Sequence, residues 1–155
     1  MPELTAPLAS DTITIRVRYP EADAMGYMHH SVYVQYLEMG RIELLRKLGH
    51  SYANLESQGV FFVVTKLQVR YRAPARFDQV LTLTTKLDRQ GPVRFDHEYE
   101  LSRNDILLAT ASTTIACVGA DGQVRAIPDE IQVNDCLCQI QTMTCSKLSS
   151  DGLQN

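Results

Sequence analysis

One stretch of this chain carries helical periodicity for more than a turn or two, and the segments after it alternate. Residues 31–48 place Tyr33, Leu37, Gly40, Leu44 and Leu48 at steps of three and four, which is one face of a helix. Ser31 is suited to cap its start and Gly49 to stop it as a C′ residue. Gln35, Glu38, Arg41, Glu43, Arg46 and Lys47 fall mostly off the stripe, and Glu43 and Lys47 stand four apart in the favourable order. Such a helix is about 27 Å long at 1.5 Å per residue. Gly40 costs about 1 kcal/mol against alanine in a helix interior. A reason for it is close approach to a sheet, where a side chain would hold the helix away.

The rest of the chain supplies that sheet. Residues 11–19 alternate Ile13, Ile15, Val17 and Tyr19 with polar neighbours, and Pro20 ends the strand. Four further strands are expected over 60–74, 79–88, 93–102 and 106–119. Their inward faces read Phe61, Val63, Thr65, Leu67, Val69 and Tyr71 in the first, and Leu81, Leu83, Thr85 and Leu87 in the next. Val93, Phe95, His97, Tyr99 and Leu101 follow in the third. Turns fall at Gln90-Gly91-Pro92, Asn104-Asp105 and Ala120-Asp121-Gly122, and a one-turn helix is expected over Pro128–Ile131. The order is strand, long helix, four antiparallel strands. This is an α+β layout in which one curved five-stranded sheet covers one helix. Residues 1–10 read as a loose leader, 11–133 as the domain and 134–155 as a polar tail. The far face of the sheet keeps enough apolar residues to predict a dimer or larger oligomer.

Composition narrows the function. The chain has 155 residues, 45% hydrophobic and 21% charged, which suits one globular domain. A net charge of −3 argues against a general nucleic-acid binder, though not against a local patch that grips a few phosphates. No signal peptide and no membrane-spanning run are recognised. Of the four cysteines, Cys136, Cys138 and Cys145 crowd the tail and Cys117 stands alone, which predicts a reducing, cytoplasmic setting rather than a disulfide framework. A lone Cys-x-Cys in a polar tail is weak evidence for metal.

The chemistry-bearing residues collect in "DAMGYMHHSVY", Asp23 to Tyr33. A carboxylate in the loop before a helix can act as nucleophile or general base. The helix start offers free N–H groups and the positive end of a dipole to an oxygen that gains charge. Gly26 lets the loop turn tightly enough to bring the two together. Other uses compete. Aspartate in a turn is commonly an Asx-turn acceptor. His29 and His30, adjacent and without a third ligand, are poorly placed for metal. His97 reads as a hydrogen-bonded core histidine, and Glu38 and Glu43 as solvated helix residues.

The stretch "RVRYPEADAMGYMHHSVYVQYLEMGRIELLRKLG" resembles the opening of the 4-hydroxybenzoyl-CoA thioesterase family of the hotdog superfamily. The family pattern is a strand with Arg-x-x-Tyr, then Asp-x-x-Gly-x-x-x-His, then Tyr and an aromatic-rich helix with Glu and Arg. Arg16, Tyr19, Asp23, Gly26, His30, Tyr33, Glu38 and Arg41 fall on those places. The segments "VVTKLQVRYRAPARFDQVLTLTTKL" and "LLATASTTIACVGADGQVRAIPDEI" extend the resemblance over about residues 12–133.

The resemblance implies a hotdog fold, hydrolysis of acyl-CoA thioesters, and active sites at the interface of a homodimer, with homotetramers common in the family. By position, Asp23 matches the catalytic carboxylate and Gly26 the loop glycine. The His30 N–H matches the group that polarises the thioester carbonyl. The His30 side chain matches one found in the branch of Tol-Pal-associated acyl-CoA thioesterases. Tyr33 is expected as a wall of the acyl pocket. His29 departs from the aromatic residue often seen there, which bears on acyl preference. Arg89 and Arg94, beside the Gln90-Gly91-Pro92 turn, are candidates for the phosphates of coenzyme A, with Arg70, Arg72 and Arg76 nearby in sequence. No metal or redox cofactor is implied, since coenzyme A is part of the substrate. A hotdog hydratase or dehydratase, or a non-catalytic acyl-CoA binding module, are the competing readings.

Overall fold

The computed structural model describes residues 6–133. Residues 1–5 of the expected 1–10 leader, the polar tail and Cys136, Cys138 and Cys145 therefore lie outside the described residues. Strand β1 (Ala9–Arg16) leads into helix α1 (His30–Lys47), short helix α2 (Tyr52–Ser57), and then β2 (Phe61–Tyr71), β3 (Val80–Gln90), β4 (Arg94–Arg103) and β5 (Ile106–Val118). The five strands form one antiparallel sheet in the order β1-β3-β4-β5-β2, so β1 and β2 are its edges. A 3₁₀ turn at Asp129–Ile131 follows, one residue inside the expected Pro128–Ile131.

Helix α1 packs on the inward face of this sheet, nearest β1 and β3. Gly40 is where it comes closest. A Cβ there would lie 2.8 Å from Leu83 Cδ2 and closer still to Thr85 Oγ1. The glycine is the contact surface. Along the helix the core divides in two. Val32, Tyr33, Tyr36 and Leu37 pack with Leu81, Leu83, Tyr99 and Leu101 at the N-terminal half. Leu44 packs with Leu55, Leu87, Phe95 and Ile115 at the other.

Between the halves lies a polar layer of Arg41, Thr85, His97, Tyr99 and Thr113, all buried. Arg41, off the apolar stripe in sequence, is nevertheless buried. Its guanidinium turns inward to donate to the Tyr99 hydroxyl at 3.2 Å and pairs with Glu38 at the rim. The Tyr99 hydroxyl in turn meets Thr113 Oγ1 at 2.8 Å. His97 is buried as expected, but its Nδ1, with Arg41 Nε and Thr85 Oγ1, has no hydrogen-bond partner among the described residues.

Several boundaries differ for physical reasons. The N-cap of α1 is His29, not Ser31: the His29 Nδ1 accepts from the Ser31 N–H at 3.3 Å and meets the Ser31 hydroxyl at 2.8 Å. Glu43 pairs with Arg46, while Lys47 reaches across to Asp11 at 3.2 Å, so the expected Glu43–Lys47 pair is absent. β1 begins at Ala9 and ends as a regular strand at Arg16; Val17 still bonds across to Gln79 and Asp78, where the chain turns through Asp78 at φ +67°. In β2 a bulge between Val64 and Lys66 flips the alternation. Phe62 and Val64 face inward before it, opposite Cys117 and Ile115; Leu67, Val69 and Tyr71 face inward after it. Phe61 and Val63 consequently point away from the core.

Candidate active site

The loop between β1 and α1 is built outward from the chain around Glu21. Pro20 starts a 3₁₀ turn, Tyr19–Glu21. The chain then forms a hairpin closed by an Ala22–Met28 bridge. Inside it the Asp23 N–H donates to the Tyr27 carbonyl at 2.7 Å and the Gly26 N–H to the Asp23 carbonyl at 2.9 Å. Gly26 sits at φ +79°, the left-handed conformation this turn requires. Asp23 Oδ1 accepts from the Met25 and Tyr27 N–H groups at 2.8 and 3.1 Å, an Asx-turn arrangement. Its second carboxylate oxygen accepts no hydrogen bond among the described residues and remains available to a ligand.

The hairpin is tied to the rest of the protein on both sides. The Met28 N–H donates to the Ala75 carbonyl at 2.8 Å, Tyr27 bridges Arg76, and the Arg76 guanidinium lies 4.5 Å from the Tyr27 ring centroid. The His29 N–H donates to the Glu21 carbonyl at 2.8 Å. The Glu21 carboxylate, buried at 5% exposure, accepts from the Arg18 N–H at 2.7 Å and from its guanidinium at 2.8 and 2.6 Å. It also takes the Tyr36 hydroxyl at 2.6 Å. Burial pushes this carboxyl upward, but the hydrogen bonds from Arg18 and Tyr36 outweigh it and hold it below the usual range. Burial and the facing Glu21 raise the Tyr36 hydroxyl well above the usual tyrosine value, so it remains a donor.

At the start of α1 the His29 side chain takes the Ser31 N–H, and the Val32 N–H bonds the His29 carbonyl at 2.9 Å. The His30 N–H finds no acceptor among the described residues. The His29 and His30 rings lie 4.1 Å apart between centroids. An open groove of about 280 Å³ runs past this helix end, lined by Met28, His30, Tyr33, Tyr71, Arg72, Ala73 and Pro74. Tyr33 and Tyr71 meet edge to face at 4.9 Å, and the Tyr71 hydroxyl donates to the His30 carbonyl at 3.0 Å. Burial raises the Tyr33 hydroxyl. His30, which lines the groove, thus carries a free amide at the positive end of a helix dipole, a combination that favours a carbonyl oxygen as it gains charge.

Of the residues expected at the site, His30 and Tyr33 line the groove. Asp23, Gly26 and His29 are not among its lining residues; they belong to the loop that leads into the helix, joined to the groove through Met28. Arg89 and Arg94 do not join them. Arg16 pairs with Val80 at the loop end of β3, and Arg89 lies nine residues further, about 30 Å along an extended strand. There Arg89 and Arg94 sit beside Asp88 and Asp96, at 3.5 and 3.7 Å. Sequence reasoning missed Glu21, Tyr36, Tyr71 and the position of Arg72 in the groove wall. The buried partner of Glu21 is fifteen residues away on the helix, and no local pattern announces it. Among the described residues, no group of three or more His, Cys, Asp or Glu side chains is placed to hold a metal ion.

A single long helix laid on a five-stranded antiparallel sheet in this order is the hotdog fold. Residues 17–134 match the family model of the thioesterase-like superfamily, and the chain belongs to that superfamily. It is similar to the acyl-CoA thioesterase YbgC of Haemophilus influenzae, with 32% identity over 121 residues, covering 76% of this chain and 88% of that protein. Among solved structures, a hypothetical protein from Thermus thermophilus superposes with a TM-score of 0.75 at 38% identity, over 77% of this chain and 92% of that one. The 4-hydroxybenzoyl-CoA thioesterase of a Pseudomonas species superposes with a TM-score of 0.73 at 18% identity, over 79% and 96% of the two chains, a likeness of fold alone.

Proposed function

We propose that this protein hydrolyses acyl-CoA thioesters to a free acid and coenzyme A, working in the cytoplasm as a homodimer or a homotetramer built from such dimers. The observation that carries this reading is the unpartnered N–H of His30 at the start of α1, a residue that lines an open groove and follows directly on the Asp23 hairpin. The thioester carbonyl oxygen accepts from that N–H. Asp23 then attacks the carbonyl carbon to give a mixed anhydride and release the thiolate, or it draws a proton from an attacking water. On the first route water then cleaves the anhydride, which gives the free acid and restores the Asp23 carboxylate. On the second the hydroxide adds directly and expels the thiolate. On both, the thiolate takes up the proton that the water gave up and leaves as the thiol. His30 and Tyr33 form the wall beside the acyl group, and the imidazole of His29 makes the neighbouring surface more polar. No metal or redox cofactor enters this scheme.

The oligomer follows from the position of the groove. Tyr71 and Arg72 stand at the end of β2, a free edge of the sheet. Antiparallel pairing of two β2 edges brings the Phe61 end of one sheet beside the Tyr71 end of the other. Arg94 lies at the Phe61 end, since it is opposite Ala116, which is opposite Val63. In this arrangement Arg89 and Arg94 serve the groove of the second subunit, and Arg72 serves its own. Together they supply cations for the phosphates of coenzyme A. No described helix is long and apolar enough to cross a membrane.

A panel of aromatic and aliphatic acyl-CoAs, followed by thiol release, tests the activity. Asp23→Asn is expected to lose at least ~10²-fold in turnover, the scale of lost acid–base chemistry. No turnover above background, or an Asn variant as active as the parent, overturns the reading. Water addition to an enoyl-CoA without thiol release would point to a hydratase, and tight binding without either reaction to a carrier module.

A further inference from the structure

The geometry points to Glu21 and Tyr36 as positioning residues that clamp the Asp23 hairpin onto helix α1. This rests on the thioesterase reading for its chemical meaning, and nothing in the resemblance to known families assigns either residue a role.

A carboxylate almost never sits fully buried unless it is paired, because losing its hydration costs several kcal/mol. Glu21 is buried and meets that cost with four hydrogen bonds, three from Arg18 and one from Tyr36. Three of them are local, within the same turn. The fourth is not: Tyr36 lies on α1, six residues past its start and itself 2% exposed. The Glu21 backbone makes a second link to the helix, its carbonyl accepting from the N–H of the cap residue His29. One residue is thus fixed to α1 at the cap and again about two turns further in. The next residue, Ala22, opens the hairpin through its bridge to Met28, and Asp23 follows directly. Loops at this position are ordinarily mobile. Here the placement of the Asp23 carboxylate relative to the His30 N–H is inherited from Glu21. A misplacement of about 1 Å between reacting groups can cost ~10²-fold in rate, so such a clamp matters to turnover more than to substrate capture.

Tyr36→Phe removes one oxygen and keeps the packing; Glu21→Gln keeps the shape and removes the charge. Both are measured for kcat and KM with the best acyl-CoA of the panel, below their melting temperatures, alone and combined with Asp23→Asn. Amide hydrogen exchange is followed over residues 23–28. The expected result is a fall in kcat of about 10- to 100-fold with KM changed less than about threefold. No further loss is expected when Tyr36→Phe is added to Asp23→Asn, because the tyrosine acts through the aspartate. Exchange in the hairpin should rise at least about tenfold. A lower melting temperature with unchanged kcat and unchanged hairpin exchange overturns the clamp, as does a loss that multiplies with that of Asp23→Asn. If the wild-type protein hydrolyses no acyl-CoA, the thioesterase reading falls by itself, and the exchange of residues 23–28 in Tyr36→Phe alone decides whether the clamp exists. Should Glu21→Gln fail to fold, the single-atom change at Tyr36 carries the test.

Discussion

His97 sits in the polar layer between the two halves of the core, and its environment decides how the protein responds to acid. Burial, and after it the positive charge of Arg41, push its imidazole down to about 3, against a smaller opposing pull from Asp96. The unfolded chain binds a proton there near pH 6.5, while the folded chain does not until about pH 3. The stabilising contribution is therefore fully present above pH 6.5. It is lost progressively as pH falls toward 3, at about 1.4 kcal/mol per pH unit. His97→Leu removes this titration. Between pH 6.5 and 4.5 the parent should lose about 2–3 kcal/mol more than the variant, measured by urea midpoints at the two pH values. Glu21 acts in a lower window. Its depressed carboxyl supports folding above the ordinary glutamate range and gives up that support as pH falls below it. An imidazole neutral down to about pH 3 takes no part in an activity profile near neutrality. At this scale the sequence was legible where residue type and local order suffice: Asp23, Gly26 and His30 declare a turn and a helix start. It was silent where a side chain's role depends on a distant partner, as for Glu21 with Tyr36 and for Arg41 with Tyr99.

Helix α1 and strand β3 meet at one glycine, and the contact sets the distance between the layers. Alanine at position 40 would gain about 1 kcal/mol in helix propensity. Its Cβ would also press on Leu83 Cδ2 and Thr85 Oγ1, and both belong to a strand held between two neighbours. Overpacking of this kind costs about 1–3 kcal/mol, so the clash outweighs the propensity. Gly40→Ala is expected to lower the melting temperature by roughly 2–8 °C, and adding Thr85→Ala should restore part of the loss. Gly40 was readable because a glycine inside a helix has a known cost and needs a spatial reason. The inward faces of β3 and β4 were readable for a similar reason: buried and less buried residues alternate over Leu81–Leu87 and over Phe95–Leu101, and the register shift in β3 falls only after Leu87. The face of β2 was not, because the bulge at Thr65 is set by its register against β5 rather than by its own residues. Helix α2 was missed because six residues are too few to show a period, and no side chain caps its start.

The sheet as a whole has two edges, and they are unequal. β1 has eight residues and meets α1 through the Lys47–Asp11 pair. β2 has eleven residues, and Val63, Val64, Leu67 and Tyr71 along it are each 41–48% exposed. A long apolar edge with unpaired backbone groups is a template for another strand, and proteins that remain single chains usually blunt it. β2 sets only Lys66, Arg70 and the bulge beside Thr65 against pairing. The groove beside His30 opens at the end of this same edge, so the β2 pairing proposed above would also cover the groove and bring the Arg89–Arg94 turn of the second copy toward it. The resemblance implied a site at a dimer interface and named Arg89 and Arg94, but which strand edge would pair is not a property of local sequence, since it depends on where the groove opens. The double substitution Val63→Lys/Val64→Lys removes two exposed apolar side chains from this edge and adds two positive charges per copy beside Lys66, so that the pair would carry four added like charges along its seam. Sedimentation of the parent should give a dimer or tetramer and of the variant a monomer. Turnover of the variant should fall at least about tenfold where monomer prevails, since the enclosed geometry that orients the substrate is lost. A parent that sediments as a fully active monomer would mean that β2 is not the interface and that one chain holds the whole site.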